Sequence, residues 1–106
     1  MTLREICVAA GVTRRAVQGY EKAGLVSPSG KTSRGYLLYD MNSQERIKVI
    51  RLYQQLGFSI KEIKEIIDAS NDIKRHAIEL RIEKLKEEGE NIENLISRAY
   101  EILEAL

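Results

Sequence analysis

The last third of this 106-residue chain carries the feature that most limits its fold. Ile78, Ile82, Leu85, Gly89, Ile92, Ile96, Ala99, Leu103 and Leu106 recur at spacings that alternate strictly between four and three. That is the seam of a coiled coil, because a repeat of roughly 3.5 residues keeps one apolar line on one side of a helix. Leu95 and Ile102 widen the line toward the C-terminus, while Glu83, Lys84, Lys86, Glu87, Glu90 and Glu93 form a solvated outer face. A helix opening near Asn71 or Asp72 and running to the end spans roughly 35 residues, or ~50 Å. One exposed helix cannot bury such a seam alone. The sequence offers no second long helix, so the expected partner is another copy and the expected state is a homodimer. Ile73, Ala77 and Leu80 form a separate stripe, expected to pack on the rest of the chain. Gly89 in the seam reads either as a close helix crossing or as a local weak point.

Upstream, the sequence spells short helices and one turn-rich stretch. Thr2-Leu3-Arg4-Glu5 is a capping box, followed by Leu3, Ile6, Cys7 and Ala10 as one apolar stripe. Gly11 ends that helix. Thr13 caps a second, running to about Ala23, with Val12, Val17 and Tyr20 as its buried side. Two short helices around a tight glycine turn have the layout of a helix-turn-helix. Ser27-Pro28-Ser29-Gly30 and Gly35 are turn chemistry around the β-prone run Tyr36-Leu37-Leu38-Tyr39, which predicts a small hairpin, or wing, between Val26 and Asp40. Asn42 or Ser43 is the expected cap of a third helix burying Ile47, Val49, Ile50, Tyr53 and Leu56. Gly57 stops it, and a second capping box, Ser59 to Glu62, opens a fourth with Ile60, Ile63 and Ile67 inward. The expected fold is mainly α. Residues 1–69 form a winged helix-turn-helix head, and 70–106 a dimerisation helix.

Charge divides the same way. Residues 1–67 hold eleven Lys and Arg against six Asp and Glu, whereas residues 68–106 hold six against ten. The net charge of +1 for the whole chain hides this split. Between Thr13 and Arg34 stand Arg14, Arg15, Lys22, Lys31 and Arg34 with Glu21 as the sole acid, which points toward nucleic acid. With 43% hydrophobic and 31% charged residues the chain is globular. It has no apolar run long enough to span a bilayer, and its first residues lack the order of a secretory signal. One cysteine, Cys7, makes neither an internal disulfide nor a metal site alone, and fits a reducing cytoplasm.

Three motifs in order resemble the MerR family of bacterial transcription regulators. They are Gly11-Val12-Thr13-Arg14-Arg15 running on to Tyr20-Glu21-Lys22-Ala23-Gly24-Leu25-Val26, then Gly35-Tyr36-Leu37-Leu38-Tyr39, then Leu56-Gly57-Phe58-Ser59-Ile60-Lys61-Glu62-Ile63. The resemblance covers residues 2–67, and a following dimerisation helix belongs to the family plan. It implies an antiparallel coiled coil between two copies and a promoter that is bent and untwisted. It also implies RNA polymerase as a partner at that promoter. Three positions depart from the family pattern. Gln18 and Gly19 stand where Arg and an aromatic residue are usual before the second-helix tyrosine, and Leu37 replaces the wing arginine.

The residue chemistry fits double-stranded DNA. Thr13, Arg14, Arg15, Gln18, Gly19 and Lys22 lie opposite Val17 and Tyr20 on the second helix, where Arg can pair with guanine and Gln with adenine. The plainer reading of this face is an ordinary charged helix surface. Lys31 and Arg34 in the wing suit phosphates, and Tyr36 either lies against the backbone of the duplex or packs on Leu25 or Phe58. Ser59 and Lys61 open a helix whose N–H groups suit phosphate, or are simply a cap and a surface lysine. Tyr20 and Tyr39 are assigned to the core. His76 lacks ligand-spaced partners, Cys7 sits in the stripe of the first helix, and one histidine cannot complete a Ser/His/Asp or Cys/His set. No catalytic residue, metal or cofactor is expected.

Two other functions fit the same pieces. One is an architectural DNA binder with an excisionase-like head. The other is a coiled-coil interaction module with an incidental basic head. In the family, effector binding usually lies beyond the dimer helix. The seam is still running at Leu106, so the chain is either a short regulator or one that stops before a sensor domain.

Overall fold

The computed structural model describes all 106 residues, in the order α1 (Leu3–Ala10), α2 (Arg14–Lys22), β1 (Gly30–Lys31), β2 (Leu37–Leu38), α3 (Met41–Gln55), α4 (Ile60–Ile66) and α5 (Asn71–Ala105). Packing divides it into Met1–Ala69 and Ser70–Leu106.

In the first unit, local signals set the helix ends. Thr2 and Glu5 complete a capping box on α1, and Ser59 and Glu62 complete one on α4, each satisfying two N–H groups that the first helical turn leaves without partners. Gly11 takes a left-handed conformation at φ 66°, closing α1 and turning the chain into α2 within three residues. The Thr13 hydroxyl accepts from the Ala16 N–H at 3.0 Å and fixes where α2 begins.

α1 packs on α2 and α3, and α3 packs on α4. Between them lie Ile6, Val17, Tyr20, Tyr39, Ile47, Ile50 and Ile63, all under 2% exposed. Each aliphatic chain buried there contributes about 1.5–3 kcal/mol, which is what holds such short helices together. The two tyrosines satisfy their hydroxyls inside: Tyr20 donates to Gln54 Oε1 at 2.5 Å, and Tyr39 donates to the Glu21 carboxylate. Burial pushes both phenols above their ordinary range. For Tyr39 the Glu21 carboxylate adds to the shift.

Three local expectations change. The cap of α3 is Asp40, whose side chain accepts from the Ser43 N–H at 2.9 Å, and not Asn42 or Ser43. Burial of Tyr39 next door fixes where the chain can enter the helix. Val49 faces outward while Ile47 and Ile50 are enclosed, because a helix cannot turn 47, 49 and 50 to one side. Ile66 joins Ile63 and Ile67 in the buried set.

The second unit is one continuous helix. Ser70 caps it by accepting from the Ile73 N–H at 3.4 Å, and none of its residues is buried. Ile73 and Leu80 are exposed and Ala77 is half-buried. The seam is likewise open to solvent, with Ile92 57% and Leu95 63% exposed. No helix of the chain is long and apolar enough to cross a membrane.

Candidate nucleic-acid interface

Every polar residue expected on the reading face of α2 is at the surface. Val17 and Tyr20 anchor one side of the helix in the core, which turns Arg14, Arg15, Gln18, Gly19 and Lys22 outward, with Thr13 exposed at the cap. Arg14, Gln18 and Lys22 recur every four residues and make one edge. Arg15 and Gly19, also four apart, lie beside it. A Cβ placed on Gly19 meets nothing within 4 Å, so the chain's own packing does not require glycine there.

The wing is a two-stranded antiparallel hairpin pairing Gly30 with Leu38 and Lys31 with Leu37. Its turn is closed by the Thr32 N–H donating to Tyr36 O at 2.8 Å and by the Gly35 N–H donating to Thr32 O at 2.9 Å. Gly35 sits at φ 83°, a conformation costly to any side chain. Lys31, Arg34 and Tyr36 all project into solvent. Tyr36 is 62% exposed, which removes the reading in which it packs on Leu25 or Phe58. Leu37, at the position of the family's arginine, is half-buried against the core instead of reaching outward.

The wing is stitched to the start of the chain. Thr2 bridges Leu38, the Tyr39 N–H donates to Met1 O at 2.7 Å, and the terminal ammonium donates to Tyr39 O at 3.0 Å. As a result α1, α2 and the wing converge on a cleft of about 510 Å³ lined by Thr2, Leu3, Arg4, Arg14, Gly35, Tyr36 and Leu37. Two arginines and a tyrosine among the residues lining one cleft suit a phosphate oxygen. Arg14 and Tyr36, separate in sequence, are therefore joined, and Arg4 is a member that sequence reasoning missed. Its sequence signal was a lone cation inside the first capping box. Only closure of the wing onto Thr2 gives that cation neighbours.

Ser59 and Lys61 open α4, which packs on α3. The Ser59 hydroxyl is engaged by the Glu62 N–H at 3.2 Å, and Lys61 is exposed. His76 is exposed on α5, and Cys7 is half-buried beside the core. No group of three or more His, Cys, Asp or Glu side chains is placed to hold a metal ion.

Comparison with known proteins identifies the family and the fold. Residues 1–70 match the family model described as MerR HTH family regulatory protein, and residues 44–106 match MerR, DNA binding. The chain is similar to the HTH-type transcriptional regulator CueR of Escherichia coli, 29% identical over 106 residues, covering 97% of this chain and 78% of that protein. The crystal structure of MtaN, the N-terminus of the Bacillus subtilis multidrug transporter activator, has a TM-score of 0.73 at 27% identity and covers 97% of both chains. A MerR family regulator from Bacillus cereus has a TM-score of 0.76 at 30% identity, over 92% of this chain and 75% of that one.

Proposed function

Since the chain belongs to the MerR family and is a DNA-binding transcriptional regulator, we propose that it acts as a homodimer on a near-palindromic promoter site. The two α5 helices pair antiparallel and set the distance between two heads. Each head lays α2 in a major groove, with Arg14, Arg15, Gln18 and Lys22 toward base edges and phosphates. Gly19 lets the backbone come close. Lys31, Arg34 and Tyr36 hold phosphates beside the groove, and Ser59 and Lys61 hold another at the start of α4. Half-sites then lie about one helical turn, or a multiple, apart.

The observation that carries this reading is the outward face of α2 next to the cleft shared by Arg14 and Tyr36, with an open apolar seam on α5. Bending and untwisting of the site cost on the order of 1–10 kcal/mol and are offset by contacts that straight DNA does not allow. A promoter so deformed presents its elements to RNA polymerase. Such work belongs in the cytoplasm, where the DNA is, and needs no cofactor in the head.

Selection of bound sequences from random duplexes, followed by titration at several salt concentrations, tests the reading. The expected product is an inverted repeat whose affinity falls steeply with salt. Binding with no sequence preference indicates an architectural protein, and absence of binding at low salt indicates an interaction module. Either result refutes the proposal.

A further inference from the structure

Gly89 is the weakest helix former inside α5, and its own chain does not account for it. A Cβ built there meets nothing within 4 Å, on a helix that buries none of its residues. We propose that the partner's Ile92 occupies the room above Gly89, in an antiparallel pair whose two-fold axis passes between Glu90 and Asn91. This register rests on the homodimer reading and extends it.

Size and charge select this register over its neighbours. Along the seam it sets Gly89 against the partner's Ile92 and Ala99 against the partner's Ile82. Each small residue thus meets an isoleucine, while Leu85 meets the partner's Ile96 and Ile78 meets the partner's Leu103. In an antiparallel pair, equivalent flanks of the seam face each other. One flank carries Lys86 and Glu93, which then face the partner's Glu93 and Lys86 as two opposite-charge pairs. The other flank carries Arg81, Glu88, Leu95 and Ile102. There Arg81 already pairs with Glu88 at 3.2 Å within the helix, so the methylene stems of that pair are what the partner's Ile102 and Leu95 meet.

The alternatives fail on packing, on charge, or on both. A parallel pair brings Arg81 against the partner's Lys86 and Glu88 against the partner's Glu93, both like-charged. Sliding the antiparallel pair one heptad toward the N-terminus sets Leu85 against Gly89 and brings Lys86 onto the partner's Lys86. Sliding it one heptad the other way sets Gly89 against Ala99, brings Glu93 onto the partner's Glu93 and leaves Ile78 without an apolar partner. A two-heptad slide toward the N-terminus brings Glu93 onto the partner's Asp72 and strands Ile96, Ala99 and Leu103 in water.

Sedimentation of the full chain and its variants tests the register. Lys86→Glu should weaken the dimer about tenfold, and adding Glu93→Lys should restore parental affinity to within about threefold, since surface charge pairs are worth that much when two act together. A tighter Lys86→Glu dimer indicates the parallel pair and overturns the proposal, as does failure of the second change to restore affinity. Disulfide trapping in a Cys7→Ser background is the second measurement. A mixture of Gly89→Cys and Ile92→Cys chains should cross-link on oxidation, whereas Leu85→Cys mixed with Gly89→Cys should not. The reverse pattern overturns the register while leaving the dimer standing. A parental chain that is monomeric at every concentration removes the dimer reading itself.

Discussion

Arg46 on α3 grips Asp68, just past the end of α4, through two parallel hydrogen bonds of 2.8 Å, while its Nε donates to the Leu25 carbonyl. One guanidinium thus ties three segments of the head, using the planar fork that lysine lacks. The carboxylate partner keeps Arg46 protonated to still higher pH than usual.

Arg46→Ala should therefore destabilise the head by about 1–2 kcal/mol, because it also leaves the Leu25 carbonyl without this donor. Asp68→Asn should cost less than about 1 kcal/mol, since the Asp68 side chain is 72% exposed and water screens the pair. Urea denaturation measures both. Equal losses in the two variants would show that the ion pair, and not the carbonyl bond, carries the effect.

Tyr39 should contribute to the loss of stability at high pH. Its phenol is raised above the ordinary value of 10.0 by burial first and by Glu21 second. A folded state that holds the proton more tightly has its full stability below the unfolded value and loses it as pH climbs past that value. Thermal denaturation should be level across neutral pH and fall above about pH 10, with Tyr20 contributing in the same direction. Tyr39→Phe should lower stability near neutral pH by about 1 kcal/mol and flatten the alkaline decline. An undiminished decline in this variant would place its cause elsewhere.

Gly19→Ala separates folding from binding. With nothing within 4 Å of the added methyl, the variant should gain up to about 1 kcal/mol of stability from better helix propensity. If the α2 backbone lies against the duplex there, the same methyl should cost at least several-fold in DNA affinity. Improved stability with unaltered affinity would remove Gly19 from the interface.

Arg4 and Lys31 should behave as phosphate contacts. Alanine at either should weaken all sequences alike and reduce the salt slope by about one, whereas Arg15→Ala should relax preference at one base pair per half-site. Filter binding on matched and mismatched duplexes distinguishes the two behaviours.

Much of the head was legible in sequence because its signals are local. Both capping boxes and the Gly11 turn depend on residues within a few positions of one another, and all three form where expected. The α3 start was not legible: Asn42 and Ser43 are as good cap residues as Asp40, and the choice lies with Tyr39, whose burial is tertiary. Arg4 escaped for the same reason, since its neighbourhood exists only once β2 has bridged Thr2. On α5 the seam was plain from spacing, but the place of Gly89 required knowing that nothing in its own chain approaches it.

The mass of the complex formed on a duplex bearing the selected inverted repeat tests the pairing of two readers most directly. Light scattering should find two chains per duplex, and Ile92→Asp, which puts a charge into the seam, should abolish that species and most of the affinity. One chain per duplex, bound equally well to a half-site and unaffected by Ile92→Asp, would contradict the account.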